Sequence, residues 1–270
     1  MRGRAAVSPG EPLPTVVAFA PRERARDLAK RAFPRTRARL RVCRTAAELR
    51  RTFSRTLVDV VVFDLGAPTD ETWLAARCAP EYPCSPFFGV ATLRAADGPT
   101  IARCAELEFA DVLAEGVDDP VIRDLVVPHA FTTRFAEALA PARDALGLTT
   151  TPQRRAWRWI IERGGRPVRT DLLAKALGVT REHLSRSFAT DGAPNLKRVI
   201  DLVRVIAAAE LAKSPGYDAA DVARVLEFAS ASHLASTAQR VCGTRSASLA
   251  RLRTGDIIER FHQGRARSRS

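Results

Sequence analysis

The stretch LAKALGVTREHLSRSF, residues 173–188, has the pattern of two short helices joined by a tight turn. Its apolar residues recur at helical spacing, and the small Ala174 lets a second helix approach closely. Gly178 suits a turn with a positive φ, Thr180 is a candidate N-cap, and Leu184 falls on the buried face. The exposed residues of the second helix would then suit the major groove of DNA. These candidate contact residues are Thr180, Arg181, Glu182, His183, Ser185 and Arg186.

A second copy of this pattern, VARVLEFASASHLASTAQR, begins at Val222. Helix hairpins with a tight turn are common in proteins that never bind DNA, but two copies favour DNA binding. The helix predicted between them, residues 195–213, would span ~27 Å at ~1.5 Å per residue. That length approaches the ~34 Å between successive major-groove segments on one face of B-DNA. The candidate contact residues of the second copy are Ser230, Ser232, His233, Ser236 and Arg240.

Positive charge is concentrated in the half of the chain that carries both copies. Residues 1–147 hold 21 Lys and Arg against 19 Asp and Glu, whereas residues 148–270 hold 22 against 11. A basic half beside a nearly neutral half indicates that only the C-terminal half meets a polyanion. A solvated basic surface without a partner is the alternative interpretation of the charge alone.

Residues 152–253 resemble the DNA-binding domain of the AraC/XylS family of bacterial transcription regulators. The similarity lies in LAKALGVTREHLSRSF, in RVIAAAELAKSP as the linker helix, and in VARVLEFASASHL. In the family the anchoring Leu follows the motif's Ala by ten positions in the first motif and by eleven in the second, as in Ala174–Leu184 and Ala223–Leu234 here. The resemblance implies two helix-turn-helix units that bind adjacent major-groove segments of promoter DNA.

The second unit departs from the family pattern at four positions. Glu227 stands where the family has the turn glycine, and Ser236 stands where an arginine follows the anchoring leucine; the first unit keeps Arg186. Ala238 replaces an aromatic residue and Ser246 a proline. Its recognition segment SASHLAST contains no Lys or Arg, so bidentate contacts to guanine are not expected there. Phosphate contacts, packing on thymine methyl groups and shape recognition stay open.

The N-terminal half alternates short apolar runs with helical stretches. Its strongest strand, LVDVVVFDLG at residues 57–66, is nearly continuous in apolar and β-branched residues, as in strands that are buried on both faces. Five such strand–helix units in residues 15–127 predict a flavodoxin-like, doubly wound parallel sheet. The expected fold class is therefore α/β for this half and all-α for the rest.

Residues 15–127 resemble the receiver domain of two-component response regulators. In this resemblance Asp64 takes the position of the phosphorylated aspartate, Thr92 that of the switch hydroxyl, and Glu115 that of a lysine. Aspartate phosphorylation needs Mg²⁺, held by further carboxylates after the first strand, where this sequence has Phe19 and Ala20. We therefore interpret Asp64 as a structural carboxylate in a pseudo-receiver.

The five predicted segments follow from these patterns. An apolar stripe from His129 to Leu146 predicts one connecting helix, which would pack on its own domain or pair with a second chain. Thr151 is the expected cap of the next helix, and an ion pair between Arg22 and Asp64 is a hypothesis. The segments are a disordered leader (1–14), a receiver-like domain (15–128), the connecting helix (129–147), a DNA-binding domain (148–260) and a basic tail (261–270).

Composition and motifs argue against catalysis and against membrane insertion. The chain shows no P-loop, no G-x-S-x-G motif and no metal spacing among its four His, and its five Cys are odd in number without a C-x-x-C pair. No apolar run reaches the ~18 residues of a membrane span, and the first residues lack the apolar core of a signal peptide. We expect a cytoplasmic protein without metal or cofactor.

The sequence thus predicts a sequence-specific transcription regulator, not an enzyme. Its expected partner is double-stranded promoter or operator DNA, with a homodimer and RNA polymerase as further candidate partners. One alternative keeps DNA binding but makes the receiver a phosphorylation-responsive switch. An alternative of another class is a protein–protein adaptor that no longer binds DNA.

Overall fold

A computed structural model describes residues 12–188 and 193–267. Most of the predicted leader therefore lies outside the described residues. The strands are β1 Thr15–Phe19, β2 Arg39–Cys43, β3 Val60–Asp64, β4 Phe87–Ala91 and β5 Asp111–Ala114. The helices of the N-terminal half are α1 Glu23–Ala32, α2 Ala46–Phe53, α3 Asp70–Ala76, α4 Cys78–Glu81, α5 Gly98–Glu106 and α6 Ile122–Val126.

The five strands form one parallel sheet in the order β2-β1-β3-β4-β5. This is the flavodoxin-like order, shared by receiver domains, so the predicted fold of the N-terminal half is confirmed. β1, β3 and β4 are buried along their whole length, as their apolar sequences require, whereas the edge strand β2 is mostly exposed. Because β1 and β3 are adjacent, the residues that follow their carboxyl ends meet at one edge of the sheet.

The C-terminal half contains only helices among its described residues, as predicted. They are α7 Phe131–Leu139, α8 Ala142–Ala145, α9 Thr151–Ile161, α10 Thr170–Leu177, α11 Arg181–Ser187, α12 Leu196–Leu211, α13 Ala219–Val225, α14 Ala231–Cys242 and α15 Thr254–Arg267. The linker helix α12 is shorter than the predicted 195–213 at both ends. At its start Asn195 is the cap, because its Oδ1 accepts a hydrogen bond from Arg198 N at 2.9 Å.

Three local predictions need correction. The connecting helix 129–147 is two helices, α7 and α8, interrupted before Pro141, whose ring cannot continue a helix. The cap of α9 is Thr150, one residue earlier than predicted, since its hydroxyl accepts from Gln153 N and Gln153 Oε1 accepts from Thr150 N. The tail predicted at 261–270 is helical as far as Arg267 and buries Phe261 completely.

The apolar stripe of the connecting segment is buried within this chain. Phe131, Phe135, Leu139 and Leu146 each expose 6% or less of their surface, although Ala138 is exposed. Of the two predicted alternatives, the structure therefore favours packing within the chain over pairing with a second chain.

The residues divide into two compact units, and each unit consists of segments that are not consecutive in the chain. The sheet unit comprises Leu13–Arg134 and Glu210–Ala231, and the helical unit comprises Phe135–Ala209 and the residues from Ser232 onward. The sheet unit thus contains a late segment of the chain that includes α13.

Candidate nucleic-acid interface

The first helix-turn-helix has the predicted local geometry. α10 ends at Gly178, which adopts φ +69° in the left-handed region that favours glycine. Thr180 then caps α11, since its hydroxyl accepts a hydrogen bond from His183 N at 3.1 Å. Leu184 and Phe188 are completely buried, so the helix is fixed by its inner face.

α9 packs against the recognition helix α11 and fixes its C-terminal end. Gln153 is completely buried, and its Nε2 donates to the carbonyl oxygen of Ser187, the last residue of α11, at 2.8 Å. Trp157 packs in the same core with 2% of its surface exposed. The sequence analysis missed Gln153, although its place three residues after Thr150 is that of a capping box.

The predicted contact residues of the first unit are all on the surface. Their exposure lets them meet a DNA groove, while the side chains between them hold α11 to its core. The exposed residues are Thr180, Arg181, Glu182, His183, Ser185 and Arg186.

An open cleft joins the first turns of α11 to the start of α12. Arg181 and Ser185 line it together with Asn195, Lys197 and Arg204, which the sequence analysis did not select. Lys197 is exposed in the first turn of α12, where basic side chains and the positive end of the helix dipole together favour an anion such as a phosphate. An Asn directly before an apolar helical run could have drawn attention to this position.

The second helix-turn-helix replaces the turn glycine without changing the backbone. Glu227 adopts φ +55°, close to the value at Gly178, although an L side chain is strained there. Phe228 N donates to Ala223 O at 2.7 Å, as the turn requires, and Val222, Ala223 and Leu226 are buried. Asp218, which the sequence analysis did not select, caps α13 by accepting from Asp221 N at 2.7 Å.

The recognition helix of the second unit, α14, presents few charges. The predicted residues Ser230, Ser232, His233, Ser236 and Arg240 are exposed, and intramolecular hydrogen bonds of two side chains, Ser236 and Arg240, are described. Ser236 Oγ donates to His233 O at 3.0 Å, and Arg240 Nη2 donates to Asp201 Oδ2 at 2.8 Å. Contacts of these residues with DNA stay predictions.

In the sheet unit, the position of the receiver aspartate is occupied by an ion-pair network. Asp64 ends β3, and its side chain is 3% exposed. Arg22 Nε lies 2.9 Å from Asp64 Oδ1 and 3.0 Å from Oδ2, and Arg22 Nη2 lies 2.9 Å from Glu115 Oε2. The hydrogen bond to Asp64, together with the other contacts of Asp64 and Glu115, raises the pKa of Arg22 above its usual range despite burial. The hypothesis of an Arg22–Asp64 ion pair is confirmed.

Two further residues complete this network. Arg24 Nε lies 2.8 Å from Glu115 Oε1. Gly66 leaves room for the guanidinium, because a Cβ at this position would lie 2.0 Å from Arg22 Nη2. Thr92, the predicted switch hydroxyl, donates to Asp97 Oδ2 at 2.8 Å. Asp64 and Glu115, at the positions of the receiver's aspartate and lysine, therefore both bind one arginine.

Comparison with known proteins matches the helical part to a family. A family model described as a helix-turn-helix domain covers residues 173–251, which include both units and the linker helix. Residues 173–251 form an AraC-type helix-turn-helix region.

Two solved structures resemble larger parts of the chain. A response regulator from Thermotoga maritima shares 15% sequence identity with a TM-score of 0.36, over 42% of this chain and 94% of that one. Full-length FixJ from B. japonicum shares 13% identity with a TM-score of 0.39, over 69% of this chain and 94% of that one. No curated protein matches the sequence.

The AraC-type region and the sheet unit offer no evident metal site in the part of the chain that the structure describes. No group of three or more His, Cys, Asp and Glu is placed there to hold a metal ion. Within the same described residues, no helix is long and apolar enough to cross a membrane.

Proposed function

We propose that this protein is a transcription regulator that binds promoter or operator DNA mainly through its first helix-turn-helix. The proposal is carried by the geometry of α11, whose N-terminus is capped and whose inner face is fixed by the buried Leu184 and Phe188. Its outer face exposes Arg181 and Arg186. Such a helix provides the bidentate donors that distinguish guanine in the major groove. The surplus of 11 positive charges in residues 148–270 supports attraction to the phosphate backbone.

Substitutions in the two recognition helices test whether the first helix-turn-helix contributes more to DNA binding than the second. On a DNA site selected with the full chain, Arg186→Ala is expected to cost ~1–3 kcal/mol and to relax specificity at one or two bases. Ser236→Ala is expected to cost less, because its hydroxyl already donates to His233 O. Affinities measured by fluorescence anisotropy, with Arg31→Ala on the exposed face of α1 as a charge-matched control, decide the ranking. A larger loss for Ser236→Ala would contradict the proposal.

The adaptor alternative makes an opposite prediction about salt. If the chain binds DNA as proposed, log K falls with log salt by about 0.9 per neutralised phosphate. An adaptor that no longer binds DNA would show no retention on a DNA column at low salt.

We further propose that the receiver-like domain acts without phosphorylation. The guanidinium of Arg22 satisfies both Asp64 and Glu115, so a phosphoryl group on Asp64 would have to displace it and would then lie near a negative Glu115. Acetyl phosphate with Mg²⁺ is therefore expected to leave Asp64 unlabelled, as measured by intact-protein mass spectrometry. Labelling of Asp64 with tighter DNA binding would establish the phosphorylation-responsive alternative.

A homodimer and contact with RNA polymerase remain proposals about the partners of this regulator. Since the stripe of α7 is buried within the chain, it does not supply the surface for either contact. Sedimentation equilibrium of the full chain, with and without its DNA site, tests the dimer directly.

A further inference from the structure

The sheet unit contains one helix of the second helix-turn-helix. Residues Glu210–Ala231 cluster with the receiver-like sheet, and they include α13, the helix that precedes the turn at Glu227. The recognition helix α14 begins directly after this segment. α13, the first helix of the second helix-turn-helix in the sequence, therefore belongs to the sheet unit.

A cluster of three aromatic rings holds this segment in the sheet unit. Phe53 and Tyr82 stack with their centroids 4.0 Å apart, and Tyr217 meets Tyr82 edge-on at 4.9 Å and Phe53 at 6.5 Å. Phe53 is completely buried, and Tyr82 and Tyr217 expose 5% and 7%. We call these three residues the aromatic cluster. Its burial is that of a domain core.

Backbone contacts around the cluster require a close approach. Gly216 N donates to Glu81 O at 2.8 Å, and Arg224 Nη1 donates to Ser54 O at 2.8 Å. A Cβ on Gly216 would lie 2.5 Å from Cζ of the Tyr82 ring, so only glycine fits without displacing that ring. The neighbouring Ser214 is also buried. The segment therefore depends on a specific fit at Gly216.

We propose that the receiver-like sheet supports DNA binding by the second helix-turn-helix, because the aromatic cluster fixes α13 through Tyr217. This inference rests on the proposed DNA-binding function. It assigns the receiver-like domain a role that involves neither a phosphoryl group nor a second chain. Phe53 and Tyr82 form the surface on which Tyr217 packs, and Tyr217 is a positioning residue of the second unit.

The two tyrosines provide a specific spectroscopic measurement. The chain contains two Tyr in all, and both lie in the aromatic cluster. Burial raises the pKa of Tyr82 to about 12 and that of Tyr217 well above its ordinary value. The tyrosinate absorbance of the full chain therefore reports on this cluster alone, and a released tyrosine would titrate near pH ~10.

Four variants of the full chain test the proposal. Gly216→Ala displaces the Tyr82 ring, and Tyr217→Ala removes the positioned ring. Tyr217→Phe keeps the ring and removes a hydroxyl that has no hydrogen-bond partner among the described residues. Gly98→Ala is the matched control, since a Cβ there meets nothing within 4 Å.

Gly216→Ala is expected to shift the tyrosinate titration toward pH ~10. Both Gly216→Ala and Tyr217→Ala are expected to speed amide hydrogen exchange in residues 210–231. Both should shorten the DNase footprint to one major-groove segment and weaken DNA binding about tenfold, whereas Tyr217→Phe and Gly98→Ala keep both. Slow exchange in β1 and β3 shows that the sheet remains folded.

Unchanged or tighter DNA binding by a variant whose segment 210–231 is released would overturn the proposal. So would a titration of Gly216→Ala that equals that of the unsubstituted chain. A complete absence of DNA binding by the unsubstituted chain would contradict the proposed function instead. In that case, an unchanged exchange rate in Tyr217→Ala would still overturn the role of the cluster in holding α13.

Discussion

Gly178 and Glu227 occupy equivalent turns of the two helix-turn-helix units and share a left-handed backbone. Their φ angles are +69° and +55°. Glycine adopts this region freely, whereas an L side chain costs about 1–2 kcal/mol there. The second unit therefore keeps the geometry of the first at an energetic disadvantage that resides in one residue.

Exchanging the residue types at these turns should move stability in opposite directions. Glu227→Gly is expected to raise the free energy of unfolding by up to ~1 kcal/mol, because relief of strain exceeds the added freedom of the unfolded chain. Gly178→Ala is expected to lower it by ~1–2 kcal/mol, although a Cβ there meets no atom within 4 Å. Urea unfolding measures both, and stabilisation by Gly178→Ala would show that backbone strain does not govern these turns.

Arg22 is the residue whose loss should be felt most in the sheet unit. Arg22→Ala leaves Asp64 and Glu115, both 3% exposed in their side chains, without the cation between them. Breaking a fully buried ion pair from one side costs about 3–5 kcal/mol; Arg22 is partly exposed and Arg24 still pairs with Glu115, so we expect a loss towards the lower end of that range or below it in thermal or urea unfolding. Arg31→Ala, exposed on α1, is the control and should stay within ~0.5 kcal/mol of the unsubstituted protein. An equal effect of the two variants would contradict a structural role for Arg22.

The sequence predicts such sites well where the deciding interaction is local. Gly178, Thr180 and the spacing of Leu184 specify the first helix-turn-helix within one short segment, and Asp64 is placed by the strand before it. Glu115 is different. The sequence placed it only at the position of a receiver lysine; its partners Arg22 and Arg24 lie about 90 residues earlier in the chain, and only the folded sheet brings them together.

At the scale of elements, α9 is the support on which α11 depends. Gln153 closes the N-terminal cap of α9 and at the same time binds the last carbonyl of α11. One buried side chain thereby fixes the start of one helix and the end of another. If α11 binds DNA as proposed, its recognition should therefore depend on Gln153, a completely buried residue.

Gln153→Ala should be more destabilising than removal of an exposed cap. We expect a loss of ~2–3 kcal/mol, since the bond from Thr150 N to Gln153 Oε1 and the bond from Gln153 Nε2 to Ser187 O both disappear. Thr180→Ala, which removes only a cap, is the comparison and should cost ~1 kcal/mol. Differential scanning calorimetry measures both, and an equal cost for the two would mean that the bond to Ser187 contributes little.

Element ends were harder to predict than element types. The apolar stripe from Phe131 to Leu146 keeps its spacing across Pro141, so periodicity alone predicted one helix where there are two. The opposite error occurred at the C-terminus, where a polar composition concealed that α15 extends to Arg267 from a buried Phe261. The first boundary is set by the ring of Pro141, which the periodicity does not register, and the second by the burial of Phe261, which a local pattern does not contain.

At the scale of the whole molecule, the two compact units are not two consecutive stretches of chain. The sheet unit takes up Glu210–Ala231 after the helical unit has begun, a division that no composition shift in the sequence indicates. The strand alternation and the helical repeats predicted the two fold classes correctly. They did not predict that α13 belongs to the sheet unit, because that depends on Tyr217 meeting rings far away in sequence.

A fragment of residues 148–270 should therefore bind its specific DNA site more weakly than its positive charge suggests. It keeps the first helix-turn-helix and the surplus of positive charge. It lacks Phe53 and Tyr82, so the ring of Tyr217 that packs on them becomes exposed. We expect weaker site-specific binding than for the full chain, with salt-dependent binding to random DNA largely retained. Titration of a selected site and of random DNA with both proteins makes the comparison; equal site affinity would show that α13 folds without the sheet.

The late segment of the sheet unit also has a consequence for how the protein is made. Arg224 bonds to Ser54, 170 residues earlier, so the sheet unit is not complete when its last strand leaves the ribosome. Contacts of such long sequence separation form slowly and only after the intervening chain has been synthesised. During synthesis the exposed rings of Phe53 and Tyr82 remain without Tyr217 for the time needed to translate the helices between them. We therefore expect the nascent chain to be more prone to aggregation in that interval than after Tyr217 has been translated and has packed on these rings.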